Sequence, residues 1–171
     1  MASIIKATEG DVQLLVELGK ITFIESHGTS AAPGEITHYI NEKYNSEVIR
    51  QELTDPKNIY YIIYHNKQPA GFSKIILNVP YHGISKQNVT KLERLYLLKE
   101  FYGLQLGNEL FHFNLELSRN EDQAGMWLYV WKENHRAIIF YEKLGFNIIG
   151  DGDFRLTPTH ANPNYIMFLQ Y

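Results

Sequence analysis

The segment from Leu95 to Gly107 has the features of a phosphate-binding loop. An apolar stretch runs into a loop that contains Gly103, and beyond it the apolar residues recur with a helical period. The free N–H groups and the dipole of a helix N-terminus attract phosphate. The segment lacks the Gly-Lys-Ser/Thr of a Walker loop and the glycine spacing of a dinucleotide fingerprint. Taken alone, it fits a phosphate site or a plain tight turn.

A second pattern follows in the segment from Trp131 to Phe146, where an asparagine is placed to cap a helix and a glycine to end it. Its characteristic residues are Asn134, Ala137, Phe140, Tyr141, Gly145 and Phe146. Together the two segments resemble the GNAT superfamily of acetyl-CoA-dependent N-acyltransferases, whose later signature is roughly Asn-x-x-Ala-x-x-Phe-Tyr-x-x-x-Gly-Phe. The six residues fit that signature one by one, and the predicted order of elements fits the GNAT fold over essentially the whole chain.

Within the superfamily, the chain resembles the PaiA-like spermine/spermidine N-acetyltransferase branch in segments 22–23, 92–96 and 130–134. The resemblance implies acetyl-CoA as co-substrate, direct transfer without an acyl-enzyme, and a small primary amine as acceptor, with a polyamine preferred. It also implies that the cofactor is bound by Leu95, Tyr96, Leu97, Tyr102, Gly103, Leu104, Gln105, Leu106, Gly107, Asn108, Asn134, Tyr141 and Lys143.

The pyrophosphate loop departs from the family pattern, which is Gln/Arg-x-x-Gly-x-Gly/Ala. Tyr102 stands where the pattern has Gln or Arg, Gln105 stands where it has the first glycine, and only Gly107 matches. A glycine there lets backbone N–H groups approach a ligand with no side chain between them. The Gln105 side chain is therefore expected either to obstruct the pyrophosphate or to add an amide donor.

The implied reaction needs three chemical aids. An alkyl amine with a pKa of ~10.4 must lose a proton before it attacks, and the resemblance assigns Glu93 a catalytic or water-positioning role. It assigns the backbone N–H of Leu97 to the oxyanion. A phenol can protonate the leaving thiolate, and Tyr141 is the candidate acid. In the alternative interpretation, Glu93 only pairs with Arg94 and Tyr141 is only a core aromatic.

The acceptor site is expected near the end of the first helix and the loop that follows it. A polyamine calls for carboxylates and aromatic faces, and the candidates are Phe23, Glu25 and Tyr39, with Glu35 as a further carboxylate. The seven histidines are scattered, and none forms the helical pair of a zinc site, so we expect no metal.

Hydrophobic periodicity predicts the elements that position these residues. Five helices are expected: one from the Thr8–Asp11 cap to about Ser26, one from Pro33, one capped by Asn45 or Ser46 and stopped by Asp55-Pro56, one from Gly103 to about residue 118, and one from Asn134 to Gly145. The predicted strands are Ser3–Lys6, Ile59–Tyr64, Ala70–Val79, Val89–Leu98, Met126–Trp131, Phe146–Ile149 and Tyr165–Leu169, the last two joined by a Pro-rich loop.

This order predicts an α/β fold with a mixed, mostly antiparallel sheet and helices on both faces. The strands around the fourth helix should form a parallel pair with a right-handed crossover. By resemblance this pair is splayed and forms the acetyl-CoA cleft. Ligands of such sheets lie at the carboxyl ends of the strands, beside a helix N-terminus.

Composition limits the classes of protein to consider. The 171 residues suit one domain spanning 1–171; 44% are hydrophobic and 20% charged, which is typical of a globular chain. The net charge of −3 gives no basic excess for nucleic acid or anionic membrane, and it would weakly suit a cationic partner. The chain has no cysteine and no apolar run long enough to span a membrane, so a cytoplasmic enzyme is expected, with a homodimer left open.

Two alternatives stay open at this point. The atypical loop at Tyr102 and Gln105 could belong to an acyl-CoA-binding or sensing module without efficient turnover, although the presence of Glu93 and Tyr141 argues against it. The acceptor could also be a peptide or protein amine.

Overall fold

The computed structural model describes all residues from Met1 to Tyr171. The helices are α1 (Val12–His27), α2 (Pro33–Lys43), α3 (Ser46–Thr54), α4 (Leu106–Asn120) and α5 (His135–Lys143). The strands are β1 (Ala2–Lys6), β2 (Asn58–His65), β3 (Gln68–Ile76), β4 (Thr90–Leu97), β5 (Gly125–Trp131), β6 (Asn147–Thr157) and β7 (His160–Gln170). Short 3-10 turns precede α1 and follow β4.

All seven strands form one sheet in the order β1-β2-β3-β4-β5-β7-β6. Only β4 and β5 are parallel, and α4 provides the crossover between them. The predicted mixed sheet with a single parallel pair is therefore confirmed.

The parallel pair is short, which opens the middle of the sheet. Only Thr90 with Met126 and Lys91 with Trp127 are paired. Beyond Lys91 the two strands separate, while β4 stays paired with β3 and β5 with β7. The carboxyl halves of β4 and β5 therefore form the two sides of a cleft.

Helices cover both faces of the sheet because the strand side chains alternate in direction. On β2, Tyr60 and Ile62 belong to the core formed with α1, α2 and α3. The next side chain, Ile63, belongs to a different core that includes Leu106 and Leu110 of α4. The predicted covering of both faces is confirmed.

Several predicted helix starts have the expected local chemistry. The Thr8 N–H donates to the Asp11 carboxylate at 2.8 Å, which completes the predicted capping box. Pro33 is the first residue of α2. The Asn45 side chain accepts a hydrogen bond from the Val48 N–H at 3.0 Å at the start of α3.

The prediction of two short final strands joined by a loop is wrong. Strands β6 and β7 each have 11 residues and form a long hairpin that turns after Thr157. Pro163 is part of β7, opposite Asp153. Proline is acceptable there because the ladder of β5 and β7 ends at Trp131 and Asn164. At the next position only the Pro163 carbonyl is used, as acceptor from the Lys132 N–H at 3.0 Å.

Two other boundaries differ from the prediction. Strand β3 ends at Ile76, before Val79, because the chain turns away at Asn78, whose φ is +55°. Helix α4 begins at Leu106, after Gly103, because both Gly103 (φ +83°) and Gln105 (φ +62°) have left-handed backbone conformations. Residues 103–105 therefore form a loop and are not part of the helix.

Candidate active site

The cleft between β4 and β5 has a volume of about 390 Å³. We call its part lined by Leu97, Tyr102, Asn134, Arg136 and Tyr141 the cofactor half. We call its part lined by Phe23, Tyr39, Glu52, Glu93 and Phe154 the acceptor half. Of the site residues predicted from sequence, the cleft lining brings together Phe23, Tyr39, Glu93, Leu95, Tyr96, Leu97, Tyr102, Asn134 and Tyr141.

The first turn of α4 presents free backbone donors beside Leu97, just outside the lining of the cofactor half. Its N-cap residue, Gln105, makes no side-chain hydrogen bond to the helix. The N–H groups of Leu106, Gly107 and Asn108 therefore have neither a side-chain cap nor a helical partner. A Cβ added at Gly107 would make only an ordinary contact with Leu97, so internal packing does not require glycine there. The open space at Gly107 suits a ligand that approaches the backbone.

The backbone of Leu97 points its N–H into the gap in the sheet. The neighbouring Leu98 N–H donates to the Ala70 carbonyl of β3 at 2.9 Å. Successive N–H groups of a strand point in opposite directions, so the Leu97 N–H points away from β3, toward β5. No β5 residue pairs with β4 at this level. The position suits a donor to a ligand oxygen in the cleft.

Tyr141 lies between the core and the cleft. The residue is 9% exposed, and its ring contacts those of Phe140 and Phe146. Its hydroxyl lies at the cleft and has no hydrogen-bond partner within the chain. Burial raises the pKa of the Tyr141 phenol, which outweighs the lowering effect of Arg136. The phenol therefore stays protonated at neutral pH and can act as a proton donor.

Asn134 has one occupied and one free side-chain group. Its Oδ1 accepts a hydrogen bond from the Ala137 N–H at 3.3 Å and so caps α5, as predicted. Its amide nitrogen has no partner in the protein, and the residue lines the cleft. Close by, the Arg136 guanidinium lies 3.5 Å from the centre of the Tyr102 ring. Arg136 thus supplies a cation beside the atypical Tyr102, in the cofactor half.

Glu93 occupies an irregularity of β4. The register of β3 and β4 shifts beside the Lys74–Arg94 pair, which leaves Glu93 without a partner on β3. Such bulges re-aim side chains, and here the Glu93 carboxylate contacts the Lys74 ammonium group. Burial raises the pKa of Glu93, but Lys74, Arg94 and Lys91 outweigh it and hold the pKa below its usual value. Glu93 is therefore a persistent carboxylate anion.

A buried ion cluster lies beneath Glu93. Glu52 Oε2 is 3.0 Å from Lys74 Nζ and 3.4 Å from the Arg94 guanidinium. The Tyr60 hydroxyl donates to Glu52 and accepts a hydrogen bond from Arg94 Nη1 at 2.5 Å, while the Arg94 guanidinium stacks 4.9 Å above the Tyr44 ring. Buried charges are tolerated only when paired in this way. The cluster anchors the bulge of β4 to α3 and β2.

His27 ends α1 as an uncharged group of the cleft. Its ring stacks on Phe23 at 4.8 Å, and its Nδ1 lies 2.6 Å from Ser26 Oγ. Burial lowers the pKa of His27 to about 4. The imidazole is therefore neutral at neutral pH, beside Tyr96 and Trp131.

Some predicted residues lie elsewhere. The Glu25 carboxylate accepts a hydrogen bond from the Lys99 N–H at 2.8 Å, outside the cleft lining. Glu35 accepts hydrogen bonds from Thr157 and Thr159 in the β6–β7 turn. Lys143 is exposed at the end of α5 and does not line the cleft. The predicted loop residues Gly103, Leu104, Gln105, Leu106, Gly107 and Asn108 stand outside its lining as well.

Sequence reasoning missed several lining residues. They are Ser26, His27, Lys43, Glu52, Lys74, Lys91, Trp131, Arg136, Phe154, Arg155 and Asn164. Asn164 is 5% exposed, and its Oδ1 has no hydrogen-bond partner. A lysine inside the apolar strand β3 was the one available signal, because Lys74 stands between residues that must be buried. The others depend on distant elements that only the fold brings together.

Comparison with known proteins decides the family. Residues 27–146, well over half of the chain, match the model of the Acetyltransferase (GNAT) family. The chain belongs to this family. It is an acetyltransferase that depends on acetyl-CoA, as the resemblance implied.

Two relatives of this GNAT chain are described as uncharacterized N-acetyltransferases. One, from Lactobacillus delbrueckii subsp. lactis, is 26% identical over 153 residues, covering 90% of this chain and 88% of that protein. The other, from Mycobacterium bovis, is 29% identical over 157 residues, covering 92% and 96%. Among solved structures, the PaiA N-acetyltransferase of Thermoplasma acidophilum in complex with coenzyme A aligns with a TM-score of 0.80 at 20% identity, over 100% of this chain and 99% of that one. At that identity the likeness establishes the fold.

The residues of the cofactor half fit coenzyme A. The uncapped turn of α4 and the Arg136 cation suit phosphate groups, the Asn134 amide suits the amide-bearing arm, and the Leu97 N–H suits a carbonyl oxygen. The structure brings together no group of three or more His, Cys, Asp or Glu side chains able to hold a metal ion. No helix has the length and apolar character needed to cross a bilayer.

Proposed function

We propose that this GNAT protein transfers the acetyl group of acetyl-CoA directly to the nitrogen of a small primary amine. The observation that carries the proposal is the separation of β4 and β5, which turns the Leu97 N–H and the Tyr141 hydroxyl toward one cleft. An N–H donor and a protonated phenol on opposite sides of a cleft suit an acyl transfer from a thioester.

The chain's own groups divide the binding of acetyl-CoA between them. The N–H groups of Leu106, Gly107 and Asn108 receive the pyrophosphate, with help from the helix dipole. Arg136 adds a charge-assisted donor. The Asn134 amide orients the arm that carries the thioester.

Two donors then act on the reacting atoms. When the amine nitrogen attacks the thioester carbonyl, the Leu97 N–H donates to the carbonyl oxygen as negative charge builds on it. The carbon–sulfur bond breaks, and the Tyr141 hydroxyl protonates the departing sulfur. An ammonium acceptor releases two protons overall: one is balanced by the proton on the thiol, and the other leaves to solvent.

Glu93 is better suited to hold a water molecule than to keep a proton. Its pKa lies below the usual value because of Lys74, Arg94 and Lys91. A carboxylate of that kind takes up a proton with little driving force. We therefore assign Glu93 to ordering the water through which the amine loses its proton.

The acceptor amine enters the half of the cleft lined by Phe23 and Tyr39, whose rings lie 4.5 Å apart. The buried Oδ1 of Asn164 is an acceptor without a donor in the protein, and an amine N–H would supply one. The polyamine acceptor stays a prediction that rests on the resemblance to the PaiA-like branch.

A thiol-release assay on a panel of primary amines tests the proposal. Acetyl-CoA with the protein should release thiol in proportion to the N-acetylated product, identified by mass spectrometry. An acyl-CoA sensor would bind acetyl-CoA and release thiol only at the background rate. A peptide panel in the same assay separates a protein-amine acetyltransferase from one that acts on small amines.

A further inference from the structure

The acceptor half of the cleft carries more positive than negative charge. Its cationic side chains are Lys43, Lys74, Lys91, Arg94 and Arg155, and its carboxylates are Glu52 and Glu93. The neutral imidazole of His27 adds no charge. This half is therefore electropositive, although the whole chain has a net charge of −3.

Both carboxylates are already engaged by buried cations. Lys74, only 4% exposed, contacts Glu52 at 3.0 Å and also contacts Glu93. Arg94 contacts Glu52 at 3.4 Å, and Lys91 lies 3.6 Å from Glu93. Two carboxylates are thus shared among three cations, so the negative charge of this half is already balanced within the protein.

Two further cations at the mouth of the acceptor half have no acidic partner. Neither Lys43 nor Arg155 takes part in any ion pair of the protein. Arg155 donates only to the Pro158 carbonyl, at 3.1 Å. Both residues are exposed and line the cleft, Lys43 from the last turn of α2 and Arg155 from β6.

We infer that the acceptor amine carries an anionic group, a carboxylate or a phosphate, which Lys43 and Arg155 bind. The inference rests on the proposed function and narrows its substrate class to amino acids and aminoalkyl phosphates. An arginine fork matches both anions in geometry and charge. A polyamine would instead place additional ammonium groups among unpaired cations, where like charges repel.

Matched acceptors test the inference directly. Butylamine, 4-aminobutanoate, 4-aminobutyl phosphate and 1,4-diaminobutane have the same carbon chain and differ in the charge of the far end. Two-carbon and six-carbon sets extend the comparison to other spacings. We expect kcat/KM for an anionic member to exceed that of its neutral amine by about tenfold or more, since hydrogen bonds to charged groups stabilise by roughly that factor. Comparison of 4-aminobutanoate with 4-aminobutyl phosphate identifies which anion is preferred.

Variants identify the residues responsible. Lys43→Gln and Arg155→Gln should each raise KM for the anionic amines about tenfold and leave the neutral amines unchanged. Lys57→Gln, which removes an exposed lysine outside the cleft, should change neither. Arg155→Gln removes the hydrogen bond to Pro158 and could loosen the β6–β7 hairpin. Lys43→Gln breaks no hydrogen bond of the protein, so the test stays valid in that case.

The possible outcomes separate the inference from the proposed function. Equal rates for neutral and anionic amines, or a preference for the diamine, would overturn the inference and leave the proposed function intact. An anionic preference that survives both variants would overturn the assignment to Lys43 and Arg155. If no amine releases thiol, the proposed function fails, and calorimetric binding of the same amines to the protein–CoA complex still decides whether the cleft selects an anion.

Discussion

Tyr141 holds its ring in the core and its hydroxyl at the cleft, so its chemistry can be tested apart from its packing. Tyr141→Phe removes one oxygen and leaves the ring contacts with Phe140 and Phe146 in place. If the phenol protonates the thiolate, kcat should fall by ~10²–10⁴, and KM for acetyl-CoA should change little. An activated thioester, whose thiol needs less protonation, should partly restore the rate in steady-state assays.

A thermal melt of both proteins is the control for Tyr141→Phe. The hydroxyl has no partner in the protein, so the two melting temperatures should be close. A stable variant with the rate of the unchanged enzyme, under conditions where chemistry limits turnover, would leave Tyr141 as a core aromatic only.

His27 should make the free energy of unfolding depend on pH. The pKa of this histidine is about 4 in the folded protein and near 6.5 when unfolded. Between those values the unfolded chain binds more protons, so stability is full above pH 6.5 and is lost as the pH falls toward 4, by about 3 kcal/mol in all.

Urea unfolding near pH 7 and near pH 5 measures this effect of His27. In His27→Gln the loss on acidification should be smaller than in the unchanged protein by the share due to the imidazole. The comparison uses only the change in the free energy of unfolding between the two pH values, so it holds even if the variant is less stable at both. An identical change in the two proteins would contradict the buried, neutral state of His27.

Single residues also show where sequence reasoning stopped. The placement of Glu93 on the strand before the loop was predicted, and the structure brings it to the cleft. Its pairing with Lys74 was not predicted, because it depends on the register of β3 and β4 and on a one-residue bulge. No periodicity in the sequence reports such an irregularity.

At the scale of elements, two helical glycines should respond to alanine with opposite signs. A Cβ at Gly19 of α1 would overlap the ring of Tyr44, which is only 1% exposed, whereas a Cβ at Gly34 of α2 meets nothing within 4 Å. We expect Gly19→Ala to destabilise the protein by about 1–3 kcal/mol through overpacking. Gly34→Ala should stabilise it by about 0.5–1 kcal/mol through backbone entropy.

Denaturant midpoints of Gly19→Ala and Gly34→Ala, compared with the parent protein, measure both effects. An unchanged Gly19→Ala midpoint would mean that α1 and α2 can move apart at no cost. Such mobility would contradict the close packing of Gly19 against Tyr44.

Elements defined by interactions between neighbours in the sequence were predicted, and those defined by interactions between distant residues were not. Helix starts at Pro33, Asn45 and Asn134 were predicted because capping uses neighbours within three residues. The full length of the β6–β7 hairpin was missed, since its Asp, Gly and Pro residues disfavour strands locally. Nine residue pairs between the two strands, interrupted by two register shifts, override that preference.

For the whole molecule, binding of acetyl-CoA should raise the melting temperature. A ligand that binds only the folded state stabilises it by about 2.7 kcal/mol at a hundredfold excess over Kd, which corresponds to roughly 5–10 °C for a chain of this size. A short acetyl thioester without phosphates is the matched control. It should give little shift if the uncapped start of α4 receives the pyrophosphate, as we propose. Absence of a shift at millimolar acetyl-CoA would count against cofactor binding at the cleft.

The net charge of the whole chain proved a poor guide to its site. A charge of −3 suited a cationic partner, yet the acceptor half gathers Lys43, Lys74, Lys91, Arg94 and Arg155 from α2, β3, β4 and β6. Composition adds up charges over the surface, whereas binding responds to the few within a Debye length of the ligand. Only the fold determines which charges those are.

The early end of the β4–β5 ladder also bears on how the protein avoids sticking to itself. Unpaired strand edges at the rim of a sheet invite other chains to add a strand, a route to aggregation. Here the free N–H of Leu97 belongs to an edge in the interior of the sheet. This edge lies between β4, which is paired with β3, and β5, which is paired with β7. A polypeptide strand needs about 4.8 Å on each side and a clear path to pair there, whereas a slender, flexible ligand arm can enter from one end. The unpaired backbone edge of β4 is thus accessible to a small ligand but not to a strand of another polypeptide chain.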